Sequence, residues 1–285
     1  MISPTLNTSS QSRTLRRFFR DPGTILGSAL AIVLIVLALI TPWITGDPLK
    51  QDTKQRLQAP SSTHWLGTDQ LGRDVMSRVL YGSRISLRIG LIVTGISLVV
   101  GAVIGLLAGL LGGLWDDILM RTTDIFLAFP SLILAMAISA ALGPNLTNVM
   151  IAVAAVSWPG YARLLRAQVL AVKNLEFVDA ARSLGASTPR IAWQHLLPNA
   201  VAPLLVQASF DIGSAILVAA GLSFIGFGAQ PPTPEWGAMV SDTRNFINEA
   251  PWASSAPAIA ILLTVLAFNL LGDGLRDILD PRGNR

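Results

Sequence analysis

The sequence is poor in the residues that carry most protein chemistry. It has no cysteine and only two histidines, His64 and His195, among its 285 residues. Disulfides and thiolate metal sites are therefore excluded, and the two histidines do not have the spacing of a paired-histidine zinc motif. The Gly-x-Ser-x-Gly motif of many hydrolases is also absent. An enzyme on this chain would have to rely on serine or aspartate chemistry for which no motif is visible.

Charge is scarce as well, and this absence is informative about fold class. Only 13% of the residues are charged, 52% are hydrophobic and the mean hydropathy is +0.56, whereas soluble domains carry about 25% charged residues. A bilayer-spanning helix needs about 20 apolar residues. The sequence therefore predicts an all-α integral membrane protein with six transmembrane helices, at residues 24–45, 85–111, 125–143, 149–165, 203–228 and 257–272. Trp158, Pro159 and Gly160 interrupt the fourth of these runs.

Basic residues predict the orientation. The first apolar run is longer than the core of a signal peptide and follows four arginines, so we interpret it as an uncleaved span with a cytoplasmic N-terminus. Six spans place the C-terminus in the cytoplasm too. The predicted organisation is a tail (1–23), a first helix (24–45), an extracytoplasmic loop with an amphipathic helix (46–84), a five-helix core with a cytoplasmic loop at 166–200 (85–272) and a second tail (273–285). The segment 46–84 is an exception to the positive-inside rule, because it is predicted to lie outside the cytoplasm and yet contains six basic residues.

The sequence pI of about 10.1 reflects mainly the arginines predicted to lie in the cytoplasm. Arginines there face anionic lipid headgroups and partner proteins, so no nucleic-acid partner is needed to explain the basic charge.

Three features inside the predicted spans bear on packing or transport. Gly101, Gly105 and Gly109 are spaced four apart and predict one thin helix face for close packing. Pro130 predicts a kink in the third span, which suits a gate or ordinary packing. Asp211 lies in the fifth span, where a charge costs about 2.5 to 3.5 kcal/mol. It must face protein or water, either along a pathway or against a neighbouring helix.

One polar segment interrupts the apolar chain. It has the sequence EFVDAARSLGASTPRIAWQHLLPN, residues 176–199. Its first part predicts a short amphipathic helix with one apolar face (Phe177, Ala180, Ala181, Leu184) and one polar face (Glu176, Asp179, Arg182, Ser183). A turn at Gly185 follows, then a second helix with Thr188 as N-cap that Pro198 ends. So short a hairpin has no core of its own, so its apolar face must be buried against a partner or lie on lipid headgroups.

This segment resembles the EAA loop of bacterial ABC-transporter permeases. The matching positions are Asp179, Ala180, Ala181, Gly185, Leu197 and Pro198. Asp179 replaces the usual glutamate, and His195 replaces isoleucine in a His-Leu-Leu-Pro-Asn form that is similar to the peptide/nickel permeases. Four further blocks, residues 66–74, 120–132, 222–240 and 268–282, resemble the C-type permease of dipeptide, oligopeptide, glutathione and nickel importers.

The resemblance implies a type I importer permease of MetI-like fold in the bacterial inner membrane. In that family the EAA loop is a coupling helix that docks on a cytoplasmic ATPase, and the implied coupling residues here are Phe177, Asp179, Ala180, Ala181, Arg182, Gly185, His195, Leu197 and Pro198. Implied partners are a second homologous permease, one or two ABC ATPases and an extracytoplasmic solute-binding protein, besides membrane lipid.

No phosphate-binding loop is present, because none of the three lysines follows a glycine. We therefore expect no cofactor on this chain, with ATP and Mg²⁺ bound by the ATPase partners. Peptide is the favoured solute, and nickel, glutathione or another small solute is the alternative. An ion-coupled secondary transporter is a more distant alternative, because such proteins usually carry repeats and several intramembrane charges.

Overall fold

The computed structural model describes residues 21–279. Within them the chain is helical apart from loops and one isolated β-bridge between Thr68 and Asp74. Residues 1–20 of the predicted N-terminal tail and residues 280–285 of the predicted C-terminal tail lie outside the described part. The predicted all-α membrane fold is confirmed.

The helices are, in chain order, α1 (Pro22–Ile44), α2 (Val75–Leu111), α3 (Gly113–Ala128), α4 (Ser131–Leu142), α5 (Leu146–Lys173), α6 (Glu176–Ser183), α7 (Thr188–Ile191), α8 (Leu197–Ala200), α9 (Ala202–Ile225), α10 (Trp236–Thr243) and α11 (Pro251–Leu279). A π-helical segment, Ala192–Leu196, joins α7 to α8. Short 3-10 turns occupy Thr53–Gln55 and Arg244–Phe246.

Six helical segments correspond to the six predicted spans. Helices α1, α2, α9 and α11 are long and apolar enough to cross a membrane, and α3 with α4 meets the same criterion as a bent pair. Helix α5 has 28 residues, a length of about 42 Å, which exceeds the hydrocarbon thickness of about 30 Å. It continues through Trp158, Pro159 and Gly160 without a break.

The helix expected at the end of the 46–84 segment enters the second span as predicted, since α2 begins at Val75 and runs for 37 residues. Its N-cap is Asp74, whose Oδ2 accepts a hydrogen bond from the Ser77 backbone N–H at 2.8 Å, as expected for an aspartate at this position.

The third predicted span is broken, not kinked. Helix α3 ends at Ala128, Phe129 is extended (φ −95°, ψ 141°), and α4 starts after Pro130, so the two axes meet at 89°. The prediction of a proline within one continuous helix was therefore wrong. The physical reason is that a proline disfavours the helical conformation of the residue before it, so the helix stops there.

The loops gather at two opposite ends of the helices. We call residues 46–74 and 226–250 the cap. Its two parts are in contact, since a small apolar cluster joins Leu57 and Leu66 to Ala250. The Trp252 indole, at the start of α11, also donates to the Thr68 carbonyl at 3.1 Å. At the other end, Lys173 donates to the carbonyls of Gly109 (3.1 Å) and Leu110 (2.8 Å) at the C-terminus of α2, where a cation is favourable.

Candidate functional site

We call residues 174–201 the polar loop, and its first turn is built around Gly185. This glycine has φ +84°, a left-handed conformation that other residues adopt only at a cost. The Gly185 N–H donates to the Arg182 carbonyl at 3.0 Å, and the Ala186 N–H donates to the Ala181 carbonyl at 3.1 Å. This pair of bonds is the Schellman arrangement that ends helices. The sequence therefore fixes a sharp, hydrogen-bonded end to α6.

The second half of the polar loop differs from the prediction. The N-cap is Ser187 instead of Thr188, which is the first residue of α7. Pro198 does not end the helix, because the chain continues helically through α8 to Ala200. The π-helical turn immediately before α8 changes the hydrogen-bond spacing just where the proline lacks its N–H, which is how such a residue is accommodated.

The polar loop is anchored to the membrane helices by side chains that the sequence analysis did not select. Val178 of α6 is fully buried, together with Ile191 and Leu196 from the second half. These side chains pack in one cluster with Leu165 and Val169 of α5, and the cluster extends to Leu204 of α9. The polar loop is therefore packed directly against α5 and α9.

The predicted apolar face of α6 points away from the chain. Phe177 is 42% exposed, Leu184 is 89% exposed, and Trp193 of the π-helical segment is 67% exposed. Ala180 is exposed and Ala181 half-buried. The polar loop thus exposes three large apolar side chains, which a partner protein or lipid headgroups can cover. We call Phe177, Leu184 and Trp193 together the apolar patch, and Trp193 is a member that the sequence analysis missed.

The remaining predicted coupling residues lie around this patch. Asp179 and Arg182 pair with each other at 3.1 Å, and both side chains are more than half exposed. The His195 ring lies 6.2 Å from the Phe177 ring, centroid to centroid, and so links the two halves of the loop. Leu197 is half-buried and Pro198 is exposed.

The three spaced glycines of α2 lie against α5. A Cβ atom on Gly101 would stand 2.5 Å from the Trp158 carbonyl oxygen, and one on Gly105 would stand 2.4 Å from the Ala162 carbonyl oxygen. On Gly109 it would meet the Val169 side chain at 2.8 Å. The backbones of α2 and α5 are thus as close as the absence of side chains allows.

The two predicted pathway or gate residues are not brought together by the structure. Pro130 lies exposed at the α3–α4 break. Asp211 is half-buried in α9 and accepts a hydrogen bond from Gln207, one turn away, at 2.9 Å. Local hydrogen bonding thus satisfies part of the carboxylate in the apolar span, and a pathway role for either residue stays a prediction.

A buried ion-pair network holds the cap together. Arg73 and Arg78 are each 2% exposed. The Arg73 Nε donates to Asp69 Oδ2 at 2.6 Å, and Arg78 Nε lies 3.6 Å from the same oxygen. Asp242 lies 3.8 Å from Arg73 across the cap. Burial raises the pKa of Asp242, against the opposing influence of the two arginines. Two of the six basic residues of segment 46–84, Arg73 and Arg78, are therefore paired with acids.

Glu235 is the second buried acid of the cap. It is the N-cap of α10, and its two oxygens accept hydrogen bonds from Gly237 N and Ala238 N, both at 2.9 Å. Burial raises its pKa, and those two hydrogen bonds oppose the shift. The adjacent Trp236 is fully buried and donates to the Val79 carbonyl of α2 at 2.9 Å. Glu235 thus caps α10, and Trp236 joins this helix to α2.

No catalytic arrangement emerges from the described residues. Within residues 21–279, no group of three or more His, Asp or Glu side chains is placed to hold a metal ion. What the geometry offers is a rigid pair of central helices, an anchored loop with an apolar patch at one end, and a charged cap at the other.

Comparisons with known proteins identify this arrangement. Residues 101–285 match the family model described as binding-protein-dependent transport system inner membrane component, and residues 10–60 match the N-terminal TM domain of oligopeptide transport permease C. The chain is 49% identical over 263 residues to a probable D,D-dipeptide transport system permease protein, DdpC, of Escherichia coli K12, covering 92% of this chain and 88% of that protein.

Two other relatives are equally extensive. The dipeptide transport system permease protein DppC of Alkalihalophilus pseudofirmus is 46% identical over 90% of this chain and 85% of its own length. The glutathione transport system permease protein GsiD of E. coli O6:K15:H31 is 47% identical over 94% and 89%, respectively. The resemblance predicted from the sequence is confirmed, and the chain belongs to the family of inner-membrane components of binding-protein-dependent transport systems, the permeases of ABC importers.

Proposed function

We propose that this chain is the membrane-spanning permease subunit of an ATP-driven importer in the bacterial inner membrane, and that it forms half of a pore for peptides. The single observation that carries the proposal is the polar loop, which is anchored to α5 and α9 on one side and leaves the apolar patch exposed on the other. A loop built in this way is suited to receive a push from a partner and pass it to the membrane helices.

The coupling mechanism follows from the packing. An ATPase subunit binds the apolar patch in a cleft, so closure of the ATPases displaces the polar loop. The cluster around Val178 moves α5 and α9 with the loop, and the glycine contact makes α2 follow α5. Packed helices respond to such a displacement by switching between discrete arrangements, which is the two-state element that opening and closing a pore requires.

The same proposal fixes the orientation and the partners. The polar loop and both termini lie in the cytoplasm, and the cap lies outside, where a solute-binding protein delivers its cargo. A second homologous permease completes the pore, and one or two ABC ATPases bind ATP and Mg²⁺ on the cytoplasmic side. This chain supplies no hydrolytic residue and binds no cofactor of its own.

Peptides are the solute class that the relatives favour. The three relatives described above are named for transport of D,D-dipeptides, dipeptides and glutathione, and glutathione is itself a small peptide with free carboxylates. Glutathione is therefore the first alternative within the same chemical class. Nickel or another small solute is an alternative that none of these three names supports.

The proposal is tested by co-purification. The affinity-tagged chain is co-expressed with the second permease and the ATPases encoded with it, and the recovered complex is assayed for ATP hydrolysis with and without the binding protein. Leu184→Glu places a charge on the most exposed member of the patch without disturbing the core, since this side chain is 89% exposed. We expect loss of the ATPases from the complex, and a similar loss for Asp179→Lys.

The matched control is Trp65→Glu in the cap, where the tryptophan is 72% exposed. It makes the same kind of change at the opposite end and should leave ATPase recovery intact. If Leu184→Glu recovers the ATPases as well as Trp65→Glu does, the polar loop is not the docking element.

A further inference from the structure

A cavity opens at the outer end of α2, away from the polar loop. Its volume is about 730 Å³, within the range of about 300 to 1,000 Å³ that is usual for small-ligand sites. One wall is α2, a second is the start of α5, and the two parts of the cap provide the rim near Pro48 and Pro232. The walls include Ile85, Ile89 and Met150, so the interior combines apolar surface with the charged groups described next.

Two arginines line this cavity. Arg84 and Arg88 are one helical turn apart on α2, so their side chains are neighbours on one face. Both are exposed, and neither forms a salt bridge within residues 21–279. The contrast with Arg78, buried and paired just before them on the same helix, is clear. Arg78 is thus paired with an acid of the same chain, whereas Arg84 and Arg88 are left without a salt-bridge partner among the described residues.

The position of Arg84 and Arg88 relative to the membrane makes an unpaired charge there costly. The 23 residues from Ile89 to the end of α2 contain no charged side chain, and at 1.5 Å per residue they span about 34 Å. This length covers the hydrocarbon core of about 30 Å, so Arg88 stands at its outer boundary. An unpaired guanidinium gains most from an anionic partner at such a site, where solvation is incomplete.

The cavity also holds one carboxylate, which bears on the identity of the occupant. Asp47 lines the same space, and its Oδ1 accepts a hydrogen bond from the Leu49 N–H at 2.8 Å. It is not within salt-bridge distance of Arg84 or Arg88. A lipid phosphate would be attracted by the arginines and repelled by Asp47. A peptide carries a carboxylate and an ammonium group, and both charges of the cavity suit it.

We propose that this cavity is an entry site for the transported solute, with Arg84 and Arg88 binding a solute carboxylate. The planar guanidinium groups match a carboxylate in two-pronged hydrogen bonding. The inference rests on the proposed peptide-import function, and it adds a place and a chemical determinant for recognition within the permease itself. The amino group of the peptide is oriented toward Asp47.

The first test uses the absence of cysteine from the chain. Thr147 is exposed and lines the cavity, so Thr147→Cys gives this subunit a single thiol there. The complete complex in nanodiscs is labelled with a maleimide, without binding protein, in the presence of Ala-Ala or its C-terminal amide. We expect Ala-Ala to slow labelling and the amide to have no effect.

The arginines are then replaced in the same background. In Arg84→Gln/Arg88→Gln, the Ala-Ala concentration needed for half-maximal protection rises about tenfold or more, because hydrogen bonds to charged groups are lost. Lys54→Gln removes a positive charge from an exposed cap side chain outside the cavity and should leave protection unchanged. Equal protection by the acid and the amide, or unchanged protection in the double variant, would overturn the proposal.

Two further measurements distinguish failure of the proposed entry site from failure of the proposed import function. If labelling depends on the phosphatidylglycerol content of the nanodisc and not on Ala-Ala, the arginines bind a lipid phosphate and the assignment to solute is wrong. Uptake of Ala-Ala by the complex with its binding protein is measured in parallel. A wild-type complex that lacks ATP-dependent uptake contradicts the proposed function, whereas normal uptake with unchanged kinetics in the double variant contradicts only the entry site.

Discussion

Within the contact between α2 and α5, Gly105 is the glycine at which an added methyl group would come closest to the facing helix. A Cβ atom there would lie 2.4 Å from the Ala162 carbonyl oxygen and 3.1 Å from the Ala162 backbone carbon and Cα. All of these atoms belong to a helix backbone, which has no rotamer to change. Ordinary contact begins near 3.4 Å, so the two helices would have to separate by about 1 Å, and overpacking of this kind costs about 1 to 3 kcal/mol.

The methyl group also brings a gain that must be subtracted. Alanine is favoured over glycine inside a helix by about 0.5 to 1 kcal/mol. We therefore expect Gly105→Ala to lower the free energy of unfolding by up to about 2.5 kcal/mol. Gly109→Ala should cost less, because its nearest contact, with the Val169 Cγ1 atom at 2.8 Å, is longer than the 2.4 Å contact with backbone at Gly105.

Gly95 provides the matched control on the same helix. No atom lies within 4 Å of a Cβ built there, so Gly95→Ala should be neutral or stabilise the protein by the helix-propensity gain alone. The purified chain is unfolded in mixed micelles of increasing SDS content, and helicity is followed by circular dichroism. Equal stabilities of Gly105→Ala and Gly95→Ala would refute the backbone contact between α2 and α5.

Three other predictions address the ion pairs and the buried acids. Arg73→Leu leaves Asp69 buried with two backbone hydrogen bonds and the more distant Arg78 as its remaining charged partner, so the cap should be destabilised by about 3 kcal/mol and become sensitive to proteolysis. Arg166 forms a two-pronged pair with Asp116 of α3, at 2.5 and 2.6 Å. Either charge reversal alone should lower thermal stability, and the exchanged pair should restore it. The raised pKa of Glu235 means that the folded protein binds this proton more tightly than the unfolded chain. Its stabilising contribution is complete below about pH 4.5 and is lost as pH rises through the folded pKa. The melting temperature should therefore fall as the pH rises through this range, and Glu235→Gln should make the fall smaller.

The sequence predicts this fold well where one interaction dominates. Apolar length alone locates the membrane helices, because burial in lipid leaves the backbone no alternative to a helix. The break at Pro130 was harder to predict. Proline is tolerated inside many membrane helices, and only the packing around it decides between a kink and a break.

The polar loop illustrates the limits of periodicity. The helical pattern separated an apolar face containing Phe177 and Leu184 from a polar face and predicted that something outside the hairpin covers the apolar face. It did not select Val178, which anchors the helix by packing in one cluster with α5. A pattern reports which residues share a face, but the partner of that face is decided by tertiary structure. The cavity at Arg84 and Arg88 was missed for the same reason, because four separate segments build it.

Helices α2 and α5 connect the polar loop at one end of the molecule to the cavity at the other end. Between the ends, α2 and α5 touch through their backbones, so neither helix can absorb a displacement by moving side chains. The polar loop exposes the apolar patch near the C-terminal end of α5. The cavity exposes two arginines that are unpaired within residues 21–279, Arg84 and Arg88, near the N-terminal end of α2. A push on the apolar patch therefore tilts the same helix pair that lines the cavity. Because coupling is reciprocal, a solute bound at Arg84 and Arg88 would in turn shift the position of the polar loop.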